Sequence, residues 1–309
     1  MLEPDLSVDI AGMRLKNPIM PASGTFGLET ARLMNADALG AIVAKSITPG
    51  KRSGNVGTRI CEVNGGMMNA VGIPSGGIDD YIERIVPLWS VYSAPLIASL
   101  SGETVDEFCN LAERLDEVNT VSALELNISC PNLRDNGAAF GMSAAVTCEL
   151  VAEVRRVTRK PIIAKLSPNV TRIQDIAVAA EAGGADALTV ANTFLAMAID
   201  IETRRPKLGH VMGGLSGPLI KPLIVRLIYQ VHQVSTLPVI GSGGAVCGKD
   251  VVEMMLAGAS AVQIGTANFT SPHAMTDIIQ ELRDYLISRN IKEAAQLIGK
   301  IDVTEETGV

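Results

Sequence analysis

Between Asn127 and Asn132 the sequence sets two carboxamides, the hydroxyl of Ser129 and the thiol of Cys130 within six positions. A cysteine in such company is a candidate nucleophile or general base, and its partner can come from anywhere else in the chain. The plain alternative is a buried cysteine beside turn-forming asparagines. Two lysines, Lys45 and Lys165, sit at or just before the ends of apolar runs. Lysine rarely occupies a buried strand alone, so each needs an anionic ligand or a carboxylate such as Glu125. Gly241-Ser242-Gly243-Gly244 and Gly265-Thr266 close two further apolar runs. Glycines there either let backbone N–H groups approach phosphate oxygens or simply make tight turns. The other cysteines, Cys61, Cys109, Cys148 and Cys247, fall in a loop, on helical stretches or near a helix start, and read as packing residues.

The elements that must position these groups follow one rhythm. Short apolar runs predict strands over Pro18–Ala22, Gly40–Ala44, Pro95–Leu100 and Ala123–Ile128. Four more follow over Pro161–Leu166, Ala187–Ala191, Pro238–Ile240 and Ala261–Ile264. A helical stretch comes after each: Glu29–Ala36, Ile78–Trp89, Thr104–Val118, Ser143–Thr158, Ile173–Ala182, Leu219–Val234, Lys249–Ala257 and Pro272–Ser288. Thr104 and Glu107 have capping-box spacing. The glycine-rich stretch 48–77 reads as an elaborated loop over one face, and a second insertion runs through Gly217. Eight βα units in a chain of this length predict an α/β fold, a (β/α)8 TIM barrel forming one domain over residues 1–309. A doubly wound open sheet fits less well, because no Gly-x-Gly-x-x-Gly turn follows the first strand. In a barrel, Ser23, Lys45, Ser99, Asn127 with Cys130, Lys165, Asn192, Ser242 and Thr266 all converge on the C-terminal mouth. That register favours phosphate binding for the glycine turns after strands seven and eight.

Bulk properties narrow the class. With 26 Lys and Arg against 33 Asp and Glu, the net charge of −7 and the lack of a basic stripe argue against a nucleic-acid partner. Five cysteines without a Cys-x-x-Cys pair fit a reducing cytoplasm rather than a disulfide, zinc or iron–sulfur framework. No apolar run is long enough for a bilayer, and Glu3 and Asp5 make a secretory signal unexpected. A metal-free cytoplasmic protein is the expectation.

Several motifs together resemble the class 1 dihydroorotate dehydrogenases along nearly the whole chain. They are Ser23-Gly24, Lys45, Gly66-Met67-Met68-Asn69-Ala70-Val71-Gly72, Asn127-Ile128-Ser129-Cys130-Pro131-Asn132, Lys165-Leu166-Ser167-Pro168-Asn169, Asn192-Thr193, Gly213-Gly214-Leu215-Ser216-Gly217 and Gly243-Gly244. The resemblance implies an FMN-bearing barrel that oxidises dihydroorotate to orotate in pyrimidine synthesis. Cys130 would then be the general base that takes the C5 proton while the C6 hydride passes to the flavin. Lys45, Asn69, Asn127, Asn132, Asn192 and Thr193 would hold the substrate, with backbone from Ala70, Val71, Gly72 and Ile73 completing the pocket. Carboxamides suit a ring that carries both imide N–H and C=O groups. Ser23, Gly24, Lys45, Ser46, Asn127, Lys165 and Ala191 would contact the flavin, with Lys165 at its N1/O2 edge. Gly217, Gly243, Gly244, Gly265 and Thr266 would bind its phosphate and ribityl chain.

Leu133-Arg134-Asp135-Asn136-Gly137-Ala138-Ala139-Phe140-Gly141 and Gly214-Leu215-Ser216-Gly217-Pro218 with Lys221-Pro222 resemble the 1B subclass in particular. That implies electron transfer to NAD+ through a separate subunit carrying FAD and a 2Fe–2S cluster, in a heterotetramer of two of each around a homodimer core. Ala191 departs from the pattern, where relatives often carry a larger aliphatic residue. The competing enzyme readings are a fumarate-reducing 1A dehydrogenase and a related flavin barrel oxidising other dihydropyrimidines. From another class comes a flavin-free lyase or isomerase that holds a phosphorylated substrate in the glycine cradle.

Overall fold

The computed structural model describes residues 3–129 and 140–303. Cys130 and Asn132 therefore lie outside the described residues. Eight short apolar strands form one parallel sheet: β1 (Ile19–Pro21), β2 (Ile42–Val43), β3 (Leu96–Leu100), β4 (Val121–Asn127), β5 (Ile162–Lys165), β6 (Ala187–Val190), β7 (Val239–Ser242) and β8 (Ala259–Ile264). From β2 to β8 each strand pairs with the next, and β8 returns to pair with β1, Val262 facing Ile19. Their runs are almost wholly buried, as expected when helices cover one face of a parallel sheet and the barrel interior fills the other.

No ladder joins β1 to β2 among the described residues. That gap is bridged by one backbone hydrogen bond, from the Gly40 N–H to the Ile19 carbonyl at 2.8 Å. A hairpin precedes the barrel, Val8–Ile10 against Met13–Leu15, turning through Ala11 and Gly12 at positive φ. Val8, Ile10 and Leu15 are buried, so this hairpin, which the sequence does not mark as an element, is part of the core.

The helices fall where the apolar periodicity puts them. They are α1 (Leu28–Leu33), α2 (residues 78–89), α3 (Val105–Asp116), α4 (Ala144–Val157), α5 (Ile173–Ala182), α6 (Lys221–His232), α7 (Gly248–Leu256) and α8 (Ala274–Ser288). Thr104 caps α3 by accepting the Glu107 N–H at 3.1 Å, as its spacing predicts. α2 carries a π turn over Tyr81–Ile85, just before Pro87, which cannot donate the next helical hydrogen bond.

The elaborated loop over the mouth is more ordered than the sequence suggests. Ile60–Val63 and Gly66–Asn69 form a hairpin that joins Met212–Ser216 and Phe194–Met197 from the later insertion. The result is a four-stranded antiparallel sheet, with Gly214 facing Asn69 and Phe194 facing Leu215.

The thin closure between β1 and β2 makes Gly40 sensitive. A Cβ there would stand 2.0 Å from the Asn17 carbonyl oxygen and 3.2 Å from that of Ile19. Gly40→Ala is expected to lower stability by about 1–3 kcal/mol, read as a lower urea midpoint at unchanged slope. An unchanged midpoint would show that the closure is not strained by the added methyl group.

Candidate active site

The C-terminal ends of seven of the eight strands open into one cavity roofed partly by the antiparallel sheet; β3 adds no lining residue, and its Ser99, expected at the mouth, is fully buried. Ser23, Gly24, Lys45, Ser46, Asn127, Lys165, Ala191, Asn192, Thr193, Gly243, Gly244, Gly265 and Thr266 line its barrel side. Asn69, Val71, Gly72 and Ile73 reach it from the roof side. With Ser242, which also lines it, eighteen of the residues singled out in the sequence are thus brought together there. Ala70 and Gly217 are not. The Ala70 N–H donates to the Arg59 carbonyl at 2.8 Å, and its own carbonyl accepts from Asn55 Nδ2 at 3.0 Å. Gly217, at φ +109, packs against Gly66, whose Cα would lie 2.6 Å from an added Cβ.

The glycine turns have the form of an anion cradle. Gly243 and Gly244 hold φ +127 and +88, conformations in which a side chain is strained. A Cβ on Gly244 would also fall 2.7 Å from the Lys221 backbone, so the turn is pressed against the start of α6. Among the described residues no acceptor is found for the N–H groups of Gly243, Gly244, Gly265 or Thr266. Four unpaired donors at one rim, with a short helix over Thr266–Phe269 behind them, suit a phosphate group.

On the opposite rim the polar side chains are already connected. Asn192 Nδ2 donates to Asn127 Oδ1 at 3.0 Å, and Asn192 Oδ1 accepts the Thr193 N–H at 2.8 Å. Asn169 braces the same segment, donating to the Thr193 carbonyl and accepting from the Leu195 N–H. The hydroxyls of Ser23, Ser46 and Ser99 run from the cavity wall into the core, 3.0 and 2.9 Å apart.

The two lysines differ. Lys165 Nζ donates to Gln263 Oε1 at 2.8 Å and lies 3.6 Å from Glu125 Oε1, so it has the carboxylate partner that the sequence left open. Lys45 has no hydrogen-bond or ion-pair partner among the described residues. Its ammonium lies open to the cavity, beside Gly24, where an added Cβ would be 3.2 Å away. The surrounding protein still removes much of its hydration, and that desolvation holds its pKa below the ordinary lysine value of 10.5. A lone ammonium facing a cavity is a site for an anion.

Sequence reasoning missed several wall residues. Ser216 lies inside a motif already noted for its glycines, and its Oγ accepts from Thr266 Oγ1 at 2.9 Å. Ile60, Met67, Ile220 and Phe269 supply apolar wall; Met67 lies inside a quoted motif, while nothing local in the sequence marks the other three. Ser129 and Gly141 flank residues 130–139. Ser129 Oγ donates to the Lys165 carbonyl at 3.1 Å, and the Gly141 N–H donates to the Ile128 carbonyl at 2.9 Å. Cys130 thus directly follows a residue tied to the end of β5.

An eight-stranded barrel with a phosphate-type cradle after its last two strands and an amide-rich opposite rim defines a class of small-molecule barrel enzymes. Residues 5–286 match the model of the dihydroorotate dehydrogenase family, and the chain belongs to that family. It is 47% identical over 305 residues to the dihydroorotate dehydrogenase B (NAD(+)) catalytic subunit of Geobacter metallireducens, covering 98% of this chain and 100% of the relative. The protein of the same description from Desulforudis audaxviator is 48% identical over 295 residues, 95% of this chain and 96% of the relative. Among solved structures, that of DHODH in complex with ferulenol from Eimeria tenella has the same fold. Its TM-score is 0.82 at 23% identity, over 96% of this chain and 89% of the other.

Lys45 gives the site a testable cost. A lysine whose pKa is lowered on folding destabilises the folded state while it is charged, and that penalty fades as pH rises through the lowered pKa toward 10.5. Lys45→Met is therefore expected to raise the thermal midpoint of the ligand-free chain at pH 7. The same change is expected to weaken binding of a carboxylate ligand such as orotate about 10- to 100-fold. A lowered midpoint with unchanged orotate affinity would remove Lys45 from the anion site.

Proposed function

We propose that this chain is the catalytic subunit of an NAD+-linked dihydroorotate dehydrogenase, oxidising (S)-dihydroorotate to orotate in pyrimidine synthesis. The observation that carries the reading is the pairing, in one cavity, of an N–H cradle with an amide-rich rim that includes an ammonium without a partner among the described residues. Full-length relatives described as dihydroorotate dehydrogenase B (NAD(+)) catalytic subunits support it.

The resident group proposed is FMN. Its phosphate fits the unpaired donors at Gly243, Gly244, Gly265 and Thr266, and apolar wall at Ile60, Met67, Ile220 and Phe269 suits its ring. When bound, FMN supplies the acceptor for the C6 hydride of the substrate. All other work falls to the chain. Lys45 binds the substrate carboxylate, and Asn69, Asn127, Asn132, Asn192 and Thr193 hold the imide edge, donating to C=O and accepting from N–H. The bond from Asn192 to Asn127 and the brace from Asn169 fix the direction of two of those carboxamides before substrate arrives, which lowers the ordering cost of binding.

Cys130 is proposed as the general base, its thiolate taking the C5 proton. Lys165 presents a cation to the flavin edge where negative charge gathers. The proposed route for the electrons is a partner subunit carrying FAD and a 2Fe–2S cluster, two copies of each chain assembling around a homodimer of this one. The described residues hold no metal-ligating cluster, and no helix among them is long and apolar enough to cross a membrane. The proposed compartment is the cytoplasm.

Two outcomes test the assignments. Cys130→Ala is expected to keep its flavin colour and to lose about 10²- to 10⁴-fold in turnover of dihydroorotate; wild-type turnover would take Cys130 out of the mechanism. At Gly265 an added Cβ would meet only Ala22 Cβ, at 3.7 Å. Gly265→Ala is thus expected to fold yet to bind FMN at least about tenfold more weakly, because the methyl group enters the cradle. FMN affinity equal to wild type would place the phosphate elsewhere.

A further inference from the structure

Beneath the cavity lies a charged cluster that the proposed reaction does not use directly. Glu125 on β4 is fully buried. Its Oε2 accepts hydrogen bonds from Thr189 Oγ1 on β6 at 3.1 Å and from Gln263 Nε2 on β8 at 2.5 Å. Its Oε1 has no hydrogen-bond partner among the described residues and faces Lys165 Nζ on β5 at 3.6 Å. Gln263 completes the ring by accepting from Lys165 Nζ through its own carbonyl oxygen. β8 does not neighbour β4 or β5 in the sheet, so these side chains meet inside the barrel. Lys165 lines the cavity and Glu125 lies behind it.

Burying an ion pair here does little for the fold, since desolvation offsets much of the attraction and apolar residues of similar volume usually serve as well. Its geometry points to the cofactor side instead. Lys165 alone would place a full positive charge, in a poorly screened interior, next to a ring that gains electrons. Such a charge stabilises the reduced ring and makes it a weaker donor. NAD+ is a weak oxidant, so an NAD+-linked chain needs its reduced flavin not to be over-stabilised.

We propose that Glu125 is a positioning residue and counter-charge for Lys165. With Gln263 and Thr189 it holds the ammonium at the floor of the cavity and offsets its field, keeping the reduction potential of the bound flavin lower than Lys165 alone would set it. The inference rests on the flavin reading above and extends it to residues that touch neither substrate nor flavin.

The experiment is a spectroelectrochemical titration of the flavin-loaded chain at pH 7. Glu125→Gln keeps the shape and removes the charge, and it is expected to raise the potential by about 30 mV, a tenfold change in a two-electron reduction equilibrium. Gln263→Glu adds a negative charge at the same place and is expected to lower it. Thr189→Val disturbs the same network without altering charge and is expected to leave the potential near wild type. An unmoved potential in both charge variants, or shifts of the same sign, overturns the proposal. So does a Thr189→Val shift as large as that of Glu125→Gln. A wild-type chain that takes up no flavin on reconstitution overturns both this proposal and the cofactor reading, whereas bound flavin with an unmoved potential overturns this one alone.

Discussion

The structure depends on a parallel sheet bent round until its ends meet. Parallel strands joined by helices all run the same way, so their C-terminal ends must share one mouth, and polar residues at the strand ends are delivered there. Closure is the vulnerable step. Seven pairings are ladders, while the eighth, between β1 and β2, rests on the Gly40 to Ile19 hydrogen bond. Once closed, the interior is narrow enough for Gln263 on β8 to reach both Glu125 and Lys165 across the barrel.

The mouth is then covered by a second sheet that shares residues with the site. Asn69 ends one of its strands, and its Nδ2 donates to the Gly214 carbonyl of the next at 3.4 Å. Gly214 must be glycine, because a Cβ would fall 2.1 Å from Thr193 Oγ1. Gly66 is held in the same way, with the Ser216 carbonyl 2.2 Å from where its Cβ would be. The roof therefore presses directly on the amide-rich rim, and the shape of that rim depends on backbone packing far from it in sequence.

Much of this was legible in the residues. Buried parallel strands read as short runs of Val, Ile, Leu and Ala, and all eight overlap the predicted segments; β4 and β8 start two residues earlier, β7 runs on through Ser242, and β2 is only Ile42–Val43. The lining of the cavity was legible for a topological reason, since a strand end in a parallel barrel can face only one way. The antiparallel roof was not. Gly66-Met67-Met68-Asn69 has no clean alternation, and its partner Met212–Ser216 is some 145 positions away, as Asn69 to Gly214 illustrates. The hairpin at Val8–Leu15 was hidden by Asp9 and Arg14, which face outward and pair with each other at 2.9 Å. Glu125 was recognisable as a possible partner for a lysine, but its link to Lys165 through Gln263 needs the barrel to be closed. Cys130 and Asn132, the most suggestive residues in the sequence, lie outside the described residues, so their roles rest on motif and chemistry.

The central claim is that dihydroorotate reduces a flavin held in this barrel and that the electrons leave through a partner. An anaerobic half-reaction tests it most directly: dihydroorotate is added to the yellow chain, and NAD+ or fumarate is then supplied with and without a flavin and iron–sulfur partner subunit. The account predicts bleaching by dihydroorotate, no return of colour with either acceptor alone, and return with NAD+ once the partner is present. A flavin-loaded chain that dihydroorotate does not bleach, or one whose colour fumarate restores unaided, would contradict it.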